Sequence, residues 1–441
     1  MNYKKSIALL TAMVLVGMTA GCSKLPKKEA PAKAEGNAVQ VNVFQLKEDI
    51  SEELKQACKL YESTHEDVVI NVEVPSGEDY GAALRTRMNE SQQPAIFNIG
   101  GPGDAIEWQK QLEDLSDQPW VPHAVEGTLA NVTMDGKVYG LPYAIEGYGI
   151  LYNKGIFQAA GVNLQTLTNY DGIRTAFELV DAKIKDGTLR EKYSKLEAVA
   201  EYPAKELWLG GLHTANVAFA NEFDSALSAF DAKTISFKQE KPFRQLVDLL
   251  TDFTPAGADK SKLNTVDYKA QVPDGIATQR VAAIQQGNWV YSDIAKVDES
   301  VALGLDMMSL PLKGVQEDSI PVGVPMYWSI NRNVDEKTKT AAKDFLNWLY
   351  QSEDGMNIVV NEFKFIPPMT NFGDFTPSDP LSAAVKRYGD GDKTMPWVFM
   401  GFPKEWGQKI FGVELQRYLE GQATWEELVT AVKSGWESER K

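Results

Sequence analysis

The sequence is poor in residues that build disulfide frameworks, metal centres and histidine-dependent active sites. Its 441 residues include two cysteines and three histidines. The histidines, His65, His123 and His213, lie far apart and lack the spacing of zinc ligands. The chain also lacks a nucleophile motif of the Gly-x-Ser-x-Gly type. We therefore expect no metal, no cofactor and no histidine-dependent catalysis.

Positive charge is in deficit as well. Forty-five lysines and arginines face 61 aspartates and glutamates, which gives a formal net charge of −16 at pH 7. Nucleic-acid binding is not expected, because phosphates need neutralisation by Lys and Arg. The charge also provides no attraction to an anionic membrane surface.

A long apolar run occurs at the N-terminus, where it has the layout of a targeting segment. Lys4 and Lys5 precede an apolar stretch, Ile7–Met18, which is too short to span a bilayer comfortably. Thr19-Ala20-Gly21-Cys22 follows and resembles a bacterial lipobox, with Thr19 where leucine is usual. The resemblance implies that residues 1–21 are a signal peptide and that Cys22 is lipidated. A plain secretory signal cleaved nearby is the alternative.

The segment after this cysteine has little apolar content. Residues 22–38 are rich in Pro, Ala, Lys and Glu and predict a flexible tether between lipid and protein. If Cys22 carries lipid, Cys58 is left without a disulfide partner. Cys58 lies in a helical pattern, so we expect it to be a small buried apolar residue.

The chain length predicts two lobes, and the first elements indicate an α/β fold. Val39–Phe44 alternates like a strand, Ser51–Glu62 has helical spacing with Ser51 as N-cap, and Val68–Val74 is a second strand. This order predicts a parallel βαβ unit. Open α/β sheets bind ligands at the carboxyl ends of their strands. The candidates there are Gln45, Lys47 and Glu48.

A glycine-rich turn follows the next predicted strand, Pro94–Ile99. Its sequence, Gly100 to Asp104, has no following Lys-Ser/Thr pair, so a phosphate site is disfavoured. We interpret Gly101 as a point of close backbone approach to a neutral ligand. Asp104 accepts hydrogen bonds from ligand hydroxyls in this interpretation, or it caps the following helix.

The stretch from Tyr139 to Phe157 places a carboxylate between aromatic residues. Glu146 is flanked by Tyr143 and Tyr148, and Gly147 and Gly149 allow backbone bends. This combination suits a polyhydroxylated ligand. An ordinary loop between two strands is the alternative.

The same stretch carries a family resemblance. Tyr139-Gly140-Leu141-Pro142 followed by Leu151-Tyr152-Asn153-Lys154 resembles the inter-lobe crossing of the family 1 extracellular solute-binding proteins of ABC sugar importers, which are of the maltose-binding type. Gly287-Asn288-Trp289, after the predicted strand Ala282–Ile284, is a second signature of that family. The helix predicted over Lys337–Tyr350 is a third.

The resemblance implies a two-lobed α/β fold of the periplasmic-binding-protein type II, with the ligand cleft between the lobes. Lobe one would hold residues 39–145 with about 324–364. Lobe two would hold residues 146–323 with about 365–441. The implied crossings lie near Glu146, Gly323 and Phe365. Residues 322–331 are predicted to form one strand that returns towards lobe one.

Ligand contacts are also implied by the resemblance. Trp289 is the expected stacking platform for a sugar ring, although a core tryptophan is the alternative reading. Trp208 and Trp406 are further candidate platforms, with Trp397 a weaker one. The full set of expected ligand-binding residues is Gln45, Glu48, Gly101, Asp104, Tyr143, Glu146, Trp208, Trp289 and Trp406.

The implied function is that of a monomeric lipoprotein outside the cytoplasm, anchored only by its lipid. It would capture a saccharide, with an oligosaccharide favoured by the several aromatics, and deliver it to the transmembrane subunits of an ABC permease. A receptor for a polyamine, a peptide or another small polar solute is the competing class, since Tyr143, Glu146 and Tyr148 could form a cage for a cation. A secreted carbohydrate-active enzyme is a third reading, because Asp and Glu are abundant.

Overall fold

The computed structural model describes residues 38–75, 80–373 and 375–441. The predicted signal peptide, the tether to residue 37 and Cys22 lie outside the described residues. The strands of the described chain are β1 (Val39–Phe44), β2 (Val68–Glu73), β3 (Ile96–Ile99), β4 (Thr133–Met134), β5 (Lys137–Val138), β6 (Leu141–Pro142), β7 (Glu146–Asn153), β8 (Ala198–Glu201), β9 (Val281–Gly287), β10 (Leu305–Met308), β11 (Ile320–Gly323), β12 (Tyr327–Ile330) and β13 (Thr394–Pro396).

Helices cover both large sheets. The α-helices of the described chain are α1 (Ser51–Thr64), α2 (Tyr80–Arg87), α3 (Pro102–Glu107), α4 (Lys154–Ala159), α5 (Tyr170–Lys185), α6 (Ala215–Phe219), α7 (Ala226–Asp231), α8 (Glu240–Thr251), α9 (Tyr268–Gln271), α10 (Tyr291–Val297), α11 (Glu299–Leu303), α12 (Glu336–Gln351), α13 (Glu353–Asn357), α14 (Pro380–Asp390), α15 (Val413–Leu419) and α16 (Trp425–Glu439). None of these described helices is both long and apolar enough to cross a bilayer.

The first sheet has the strand order β2-β1-β3-β12-β6. Strand β1 runs parallel to β2 and β3, which confirms the predicted βαβ unit, and β12 is antiparallel to its neighbours. One core cluster includes Val41, Cys58 and Trp328, and a second includes Phe97 and Trp108. Cys58 is 3% exposed, as its helical pattern predicted. We call the part of the chain built on this sheet lobe one.

The second sheet has the order β13-β11-β7-β9-β8, and β10 also pairs with β7. Strand β7 is buried along its whole length because it is central and has neighbours on both edges. Asn153 ends this strand and starts α4, since its side-chain oxygen accepts a hydrogen bond from the backbone N–H of Ile156. We call the part built on this sheet lobe two.

The chain crosses between the sheets from β6 to β7 and from β11 to β12. The sequence predicts one strand over residues 322–331, and this prediction is wrong. The run is broken at residues 324–326 because Val322 and Gly323 pair with β7, whereas Tyr327 pairs with β3 and β6. A bridge between Ile145 and Ile366 brings a third segment to the crossings. The predicted limits of the lobes stay predictions.

Two local predictions need correction. Helix α1 begins at Ser51 itself, after Ile50, and no side chain caps it. Gly147 and Gly149 lie within the extended strand β7 and make no bend. Glycine is needed there for close packing, since a Cβ on Gly149 would lie 2.4 Å from the carbonyl oxygen of Met308.

Candidate functional site

An ion pair joins the two sheets at the base of the space between the lobes. Lys47 follows the carboxyl end of β1, and Glu146 is the first residue of β7. The Lys47 Nζ atom lies 2.5 Å from Glu146 Oε1 and 3.5 Å from Asp49 Oδ2. The side chains of Lys47 and Glu146 are 10% and 7% exposed. One lysine therefore neutralises carboxylates from both lobes.

Burial and charge act against each other in this pair. Burial raises the pKa of Glu146 above its ordinary value, although Lys47 favours the charged form of this carboxyl. Burial alone would lower the pKa of Lys47. The two nearby carboxylates, Asp49 and Glu146, outweigh that effect and raise the pKa of Lys47, so the ammonium stays charged.

Neighbouring polar groups hold the ion pair in place. Asn288 Oδ1 accepts a hydrogen bond from Gly147 N at 3.1 Å, immediately after Glu146. The Lys47 ammonium also lies 5.6 Å from the centre of the Phe365 ring, a cation–π distance. Because Asn288 and Phe365 come from separate parts of the chain, tertiary packing fixes the orientation of both charged groups.

A groove opens beside this ion pair and takes residues from both lobes. It has a volume of about 370 Å³. Its lining consists of Lys47, Glu48, Asp49, Tyr268, Trp289, Asp293 and Lys296. A small cavity of about 20 Å³, which Glu146, Asn288 and Phe365 help to line, adjoins the same lysine and tryptophan. We call these two adjoining spaces the front cleft.

Trp289 presents a fixed ring to the front cleft. Strand β9 ends at Gly287, and the indole folds back so closely that a Cβ on Gly287 would lie 2.1 Å from its Cζ3 atom. The indole N–H donates to Gln286 Oε1 at 3.1 Å. Since this N–H is satisfied within lobe two, the half-buried indole can offer a ligand its apolar face.

His213 is the centre of an aromatic cluster next to Trp289. Its ring stacks on Tyr148 at 4.4 Å with an interplanar angle of 10°. Trp208 and Trp289 meet it edge-on, at 5.0 and 5.4 Å between ring centres. The Trp208 indole N–H donates to Glu206 Oε2 at 3.1 Å. Both tryptophans therefore contact the same imidazole, and each has its indole N–H bonded.

The histidine in this cluster is neutral. Burial lowers the pKa of His213 to about 3, because the surrounding rings cannot solvate an imidazolium. Its Nδ1 atom is buried and has no hydrogen-bond partner among the described residues.

Gln45 and Tyr143 lie behind the ion pair rather than on the cleft surface. Both are fully buried. The Tyr143 hydroxyl donates to Gln45 Oε1 at 2.9 Å, and Gln45 Nε2 donates to the carbonyl of Lys47 at 2.8 Å. They hold the backbone that carries Lys47, and we assign them a positioning role.

Gly101 and Asp104 lie where the lobes touch. A Cβ on Gly101 would lie 2.3 Å from the carbonyl oxygen of Met400 in lobe two. Asp104 Oδ2 accepts a hydrogen bond from Gly100 N at 2.8 Å, and burial raises the pKa of this carboxyl. The backbone at Gly101 therefore approaches the other lobe and not a ligand, which was expected from the sequence. Asp104 stabilises the turn through its hydrogen bond with Gly100.

One ion pair crosses the same contact between the lobes. Glu107 of α3 binds Arg85 of lobe one at 2.9 Å and Lys404 of lobe two at 2.5 Å. These side chains are at least about one-third exposed, so each pair adds little stability. The contacts show that the lobes are closed together on this side.

Trp406 has no exposed surface. Its indole N–H donates to the carbonyl of Val432 at 2.7 Å, and its ring packs edge-on against Trp436. A ring enclosed in this way has no free face, so we do not retain it as a platform. Trp397 is 6% exposed and rests on Gly323, whose Cβ would lie 2.6 Å from the ring.

A larger groove, of about 1260 Å³, lies on the opposite side of the crossings. Ile145 and Ile366 line it, whereas their chain neighbours Glu146 and Phe365 face Lys47. Successive residues of an extended segment point to opposite sides, which explains this division.

The larger groove has an exposed ion pair, Lys386–Asp390, and a buried tryptophan, Trp397. The front cleft instead has the buried pair Lys47–Glu146 beside the half-buried ring of Trp289, so we place the candidate site there.

The structure thus brings Glu48, Glu146 and Trp289 to the front cleft and adds Lys47. The sequence places Lys47 at the correct strand end but contains no pattern that reveals its pairing with Glu146.

Trp208 does not line this cleft; it contacts His213, which in turn contacts Trp289. No local signal identifies His213, because Tyr148, Trp289 and Phe399 contact it from distant segments and nearby Trp208 alone forms no pattern. The described residues contain no group of His, Cys, Asp and Glu that could hold a metal ion.

Comparison with known proteins now identifies the family. The chain matches the bacterial extracellular solute-binding proteins over residues 56–389, well over half of its length. It belongs to this family. The two large sheets correspond to the two lobes that the resemblance to this family implied.

Individual relatives agree with this assignment. The melibiose/raffinose/stachyose-binding protein MelE of Bacillus subtilis (strain 168) is 24% identical over 361 residues, covering 78% of this chain and 77% of MelE. The solved structure of the solute-binding protein RafE with raffinose has a TM-score of 0.72 at 17% identity, covering 92% of this chain and 100% of RafE.

A third similar structure is a sugar transporter from Bacillus licheniformis in complex with stachyose. It has a TM-score of 0.66 at 17% identity and covers 91% of this chain and 100% of its own. At these identities the structural likeness establishes the two-lobed α/β fold. The family and these similar structures are described as solute-binding proteins and not as enzymes.

Proposed function

We propose that this chain is the substrate-binding subunit of an ABC importer and that it binds an oligosaccharide in the front cleft. The observation that carries the proposal is Trp289, a half-buried ring that lines the front cleft and whose indole N–H is already bonded to Gln286. This ring offers an apolar face among polar groups. The description of MelE as a melibiose/raffinose/stachyose-binding protein and the raffinose bound to RafE support a sugar as the solute.

Sugar rings match this arrangement because they combine apolar C–H faces with a polar rim. Aromatic side chains cover the faces with a large rigid surface. The rim hydroxyls can donate to the carboxylates of Glu48, Asp49 and Glu146, and hydrogen bonds to charged acceptors are the stronger kind. The cleft thus supplies both kinds of contact that a saccharide needs.

Binding couples to the approach of the lobes. Lys47 and Glu48 belong to lobe one, whereas Trp289 and Tyr268 belong to lobe two. A sugar that touches both sets favours the arrangement in which they are close, by as much as its affinity differs between the arrangements. The Gly101–Met400 contact is one of the points where the lobes then meet.

The remaining parts of the proposal concern delivery. We infer that Cys22 carries lipid, that the protein acts outside the cytoplasm as a monomer, and that transmembrane permease subunits receive the sugar unchanged. Binding without turnover is the activity of the family. The competing polyamine cage is not favoured, because Tyr143 and Tyr148 are fully buried and present no open cage around Glu146.

The test is isothermal titration of the purified protein with melibiose, raffinose, stachyose, chitin oligosaccharides and spermidine. We expect at least one oligosaccharide to bind with a dissociation constant in the micromolar range or below, and spermidine not to bind. Binding of spermidine alone would favour the polyamine receptor. New reducing ends after incubation with the sugars would contradict a binding role.

A further inference from the structure

The charged side chains that line the front cleft are unevenly balanced. The acidic ones are Glu48, Asp49, Glu53, Glu146, Asp293 and Glu362. The basic ones are Lys47, Lys296 and Lys364, and no arginine is among the described residues that line this cleft. Carboxylates therefore outnumber cations by two to one around the space where a ligand would lie.

The cations are also engaged by protein carboxylates. Lys47 binds Glu146 and Asp49, and Lys296 lies 3.6 Å from Asp293. Lys364 interacts electrostatically with Asp379. The Lys47 pair is the deepest of these, since both side chains are at most one-tenth exposed. An anionic ligand would have to compete with a buried carboxylate for the same ammonium.

A sugar that carries a carboxylate meets two obstacles in such a cleft. Proteins that bind carboxylates tightly use free cations, above all the forked guanidinium of arginine. Here the deepest cation is already neutralised, and Glu48 and Asp49 repel a second negative group close by. A neutral sugar avoids both obstacles, because its hydroxyls can donate to these carboxylates while the ion pair stays intact.

We propose that the front cleft selects neutral oligosaccharides against acidic ones, and that Glu146 determines this selectivity by occupying Lys47. The inference rests on the proposed function, since it concerns the same cleft. It assigns to Glu146 an exclusion role in addition to its contacts with hydroxyls. Removing the charge of Glu146 while keeping its shape should expose the ammonium to ligand carboxylates.

The experiment compares raffinose and stachyose with derivatives in which the C6 hydroxymethyl of the terminal galactose is oxidised to a carboxylate. Each sugar is titrated calorimetrically into the wild-type protein, Glu146→Gln and Glu178→Gln; Glu178 is an exposed residue of α5 that does not line the front cleft. We expect the wild type to bind the neutral member of a pair at least 100-fold more tightly. In Glu146→Gln this ratio of affinities should fall at least tenfold, whereas in Glu178→Gln it should stay unchanged.

The outcomes separate the inference from the function on which it rests. If the wild type binds a carboxylated sugar as tightly as its neutral parent, the inference is wrong and the importer role stands. If no neutral sugar binds, the proposed function fails and the inference fails with it. If Glu146→Gln does not fold, Glu146→Asp tests the same pairing, because the carboxylate that is one methylene shorter no longer reaches Lys47 as closely. An unchanged ratio in the variant that folds removes the role assigned to this ion pair.

Discussion

Gly287 lies directly beneath the indole of Trp289. A Cβ at this glycine would come within 2.1 to 2.4 Å of three ring carbons, so the ring holds its position because residue 287 has no side chain. The hydrogen bond from the indole N–H to Gln286 fixes the ring from its other edge. The orientation of the Trp289 ring in the front cleft therefore depends on the end of strand β9, on the absence of a side chain at Gly287 and on the hydrogen bond to Gln286.

This relationship predicts the effect of two substitutions on sugar affinity. Trp289→Ala should cost about 2 kcal/mol or more of binding free energy, the range of aromatic hot spots. Gly287→Ala should also weaken binding, because the methyl group displaces a ring that is still present. Titration calorimetry measures both effects, and circular dichroism checks the fold. Unchanged affinity in Trp289→Ala would remove this residue from the site.

Gly101 tests the contribution of the contact between lobes. Gly101→Ala places a methyl group against the carbonyl of Met400, so the lobes should no longer close fully and sugar affinity should fall by tenfold or more. Gly389→Ala is the matched control, because its Cβ meets no atom within 4 Å and it lies in helix α14.

These two glycine variants should differ in shape as well as in affinity. Small-angle scattering with saturating sugar should give a larger radius of gyration for Gly101→Ala than for Gly389→Ala. The control should be as stable as the wild type or up to about 1 kcal/mol more stable, owing to the higher helix propensity of alanine. Equal affinities of the two variants would contradict a role for the Gly101 contact in binding.

Lys47→Met removes one partner of the buried ion pair and leaves Glu146 without its cation. Breaking a buried pair in this way typically costs about 3–5 kcal/mol of unfolding free energy. The double variant Lys47→Met/Glu146→Gln should recover part of this loss, because no unpaired charge remains. Urea denaturation of the wild type, both single variants and the double variant gives the coupling energy. Additive effects would show that the pair is not coupled.

The pKa of His213 predicts a dependence of stability on pH. The pKa of this imidazole is about 3 in the folded protein, compared with an ordinary value of 6.5. Between these values the unfolded chain binds more protons at this site, so its contribution to stability rises with pH and is lost as pH falls from 6.5 towards 3. His213→Phe should remove this contribution.

The measurement for His213 compares urea denaturation of the wild type and His213→Phe at pH 4.5, 5.5 and 7. Buried carboxyls with raised pKa values, such as Glu146 and Asp104, act in the opposite direction but are common to both proteins. The difference in unfolding free energy between the two should therefore shift in favour of the variant as pH falls. Parallel curves would show that His213 is solvated.

Local patterns predicted much of the fold. The alternation in Val39–Phe44 and the spacing in α1 and α12 gave the correct elements, because one face of each is buried against a neighbour. The strand predicted over residues 322–331 was wrong, because an apolar run does not reveal that its two halves pair with different sheets. Crossing points depend on partners from elsewhere in the chain.

For the candidate site, the sequence could identify residue types at strand ends but could not tell which of them face the cleft. Trp289 and Trp406 are both tryptophans in family-like segments. The first rests on Gly287 and stays half-buried, whereas the second is enclosed beside Trp436 and Val432. The exposure of each ring depends on residues far from it in sequence, so no local pattern separates the two.

By itself the sequence determined the class of protein: an acidic, cysteine-poor α/β chain with the crossing signature around Glu146. Composition and short-range periodicity carry that information because they act within a few residues. Only the tertiary structure decided that Lys47 neutralises Glu146, that His213 contacts Trp289, and that Gly101 meets Met400. Each of these contacts joins residues far apart in the sequence, and packing alone sets their distances.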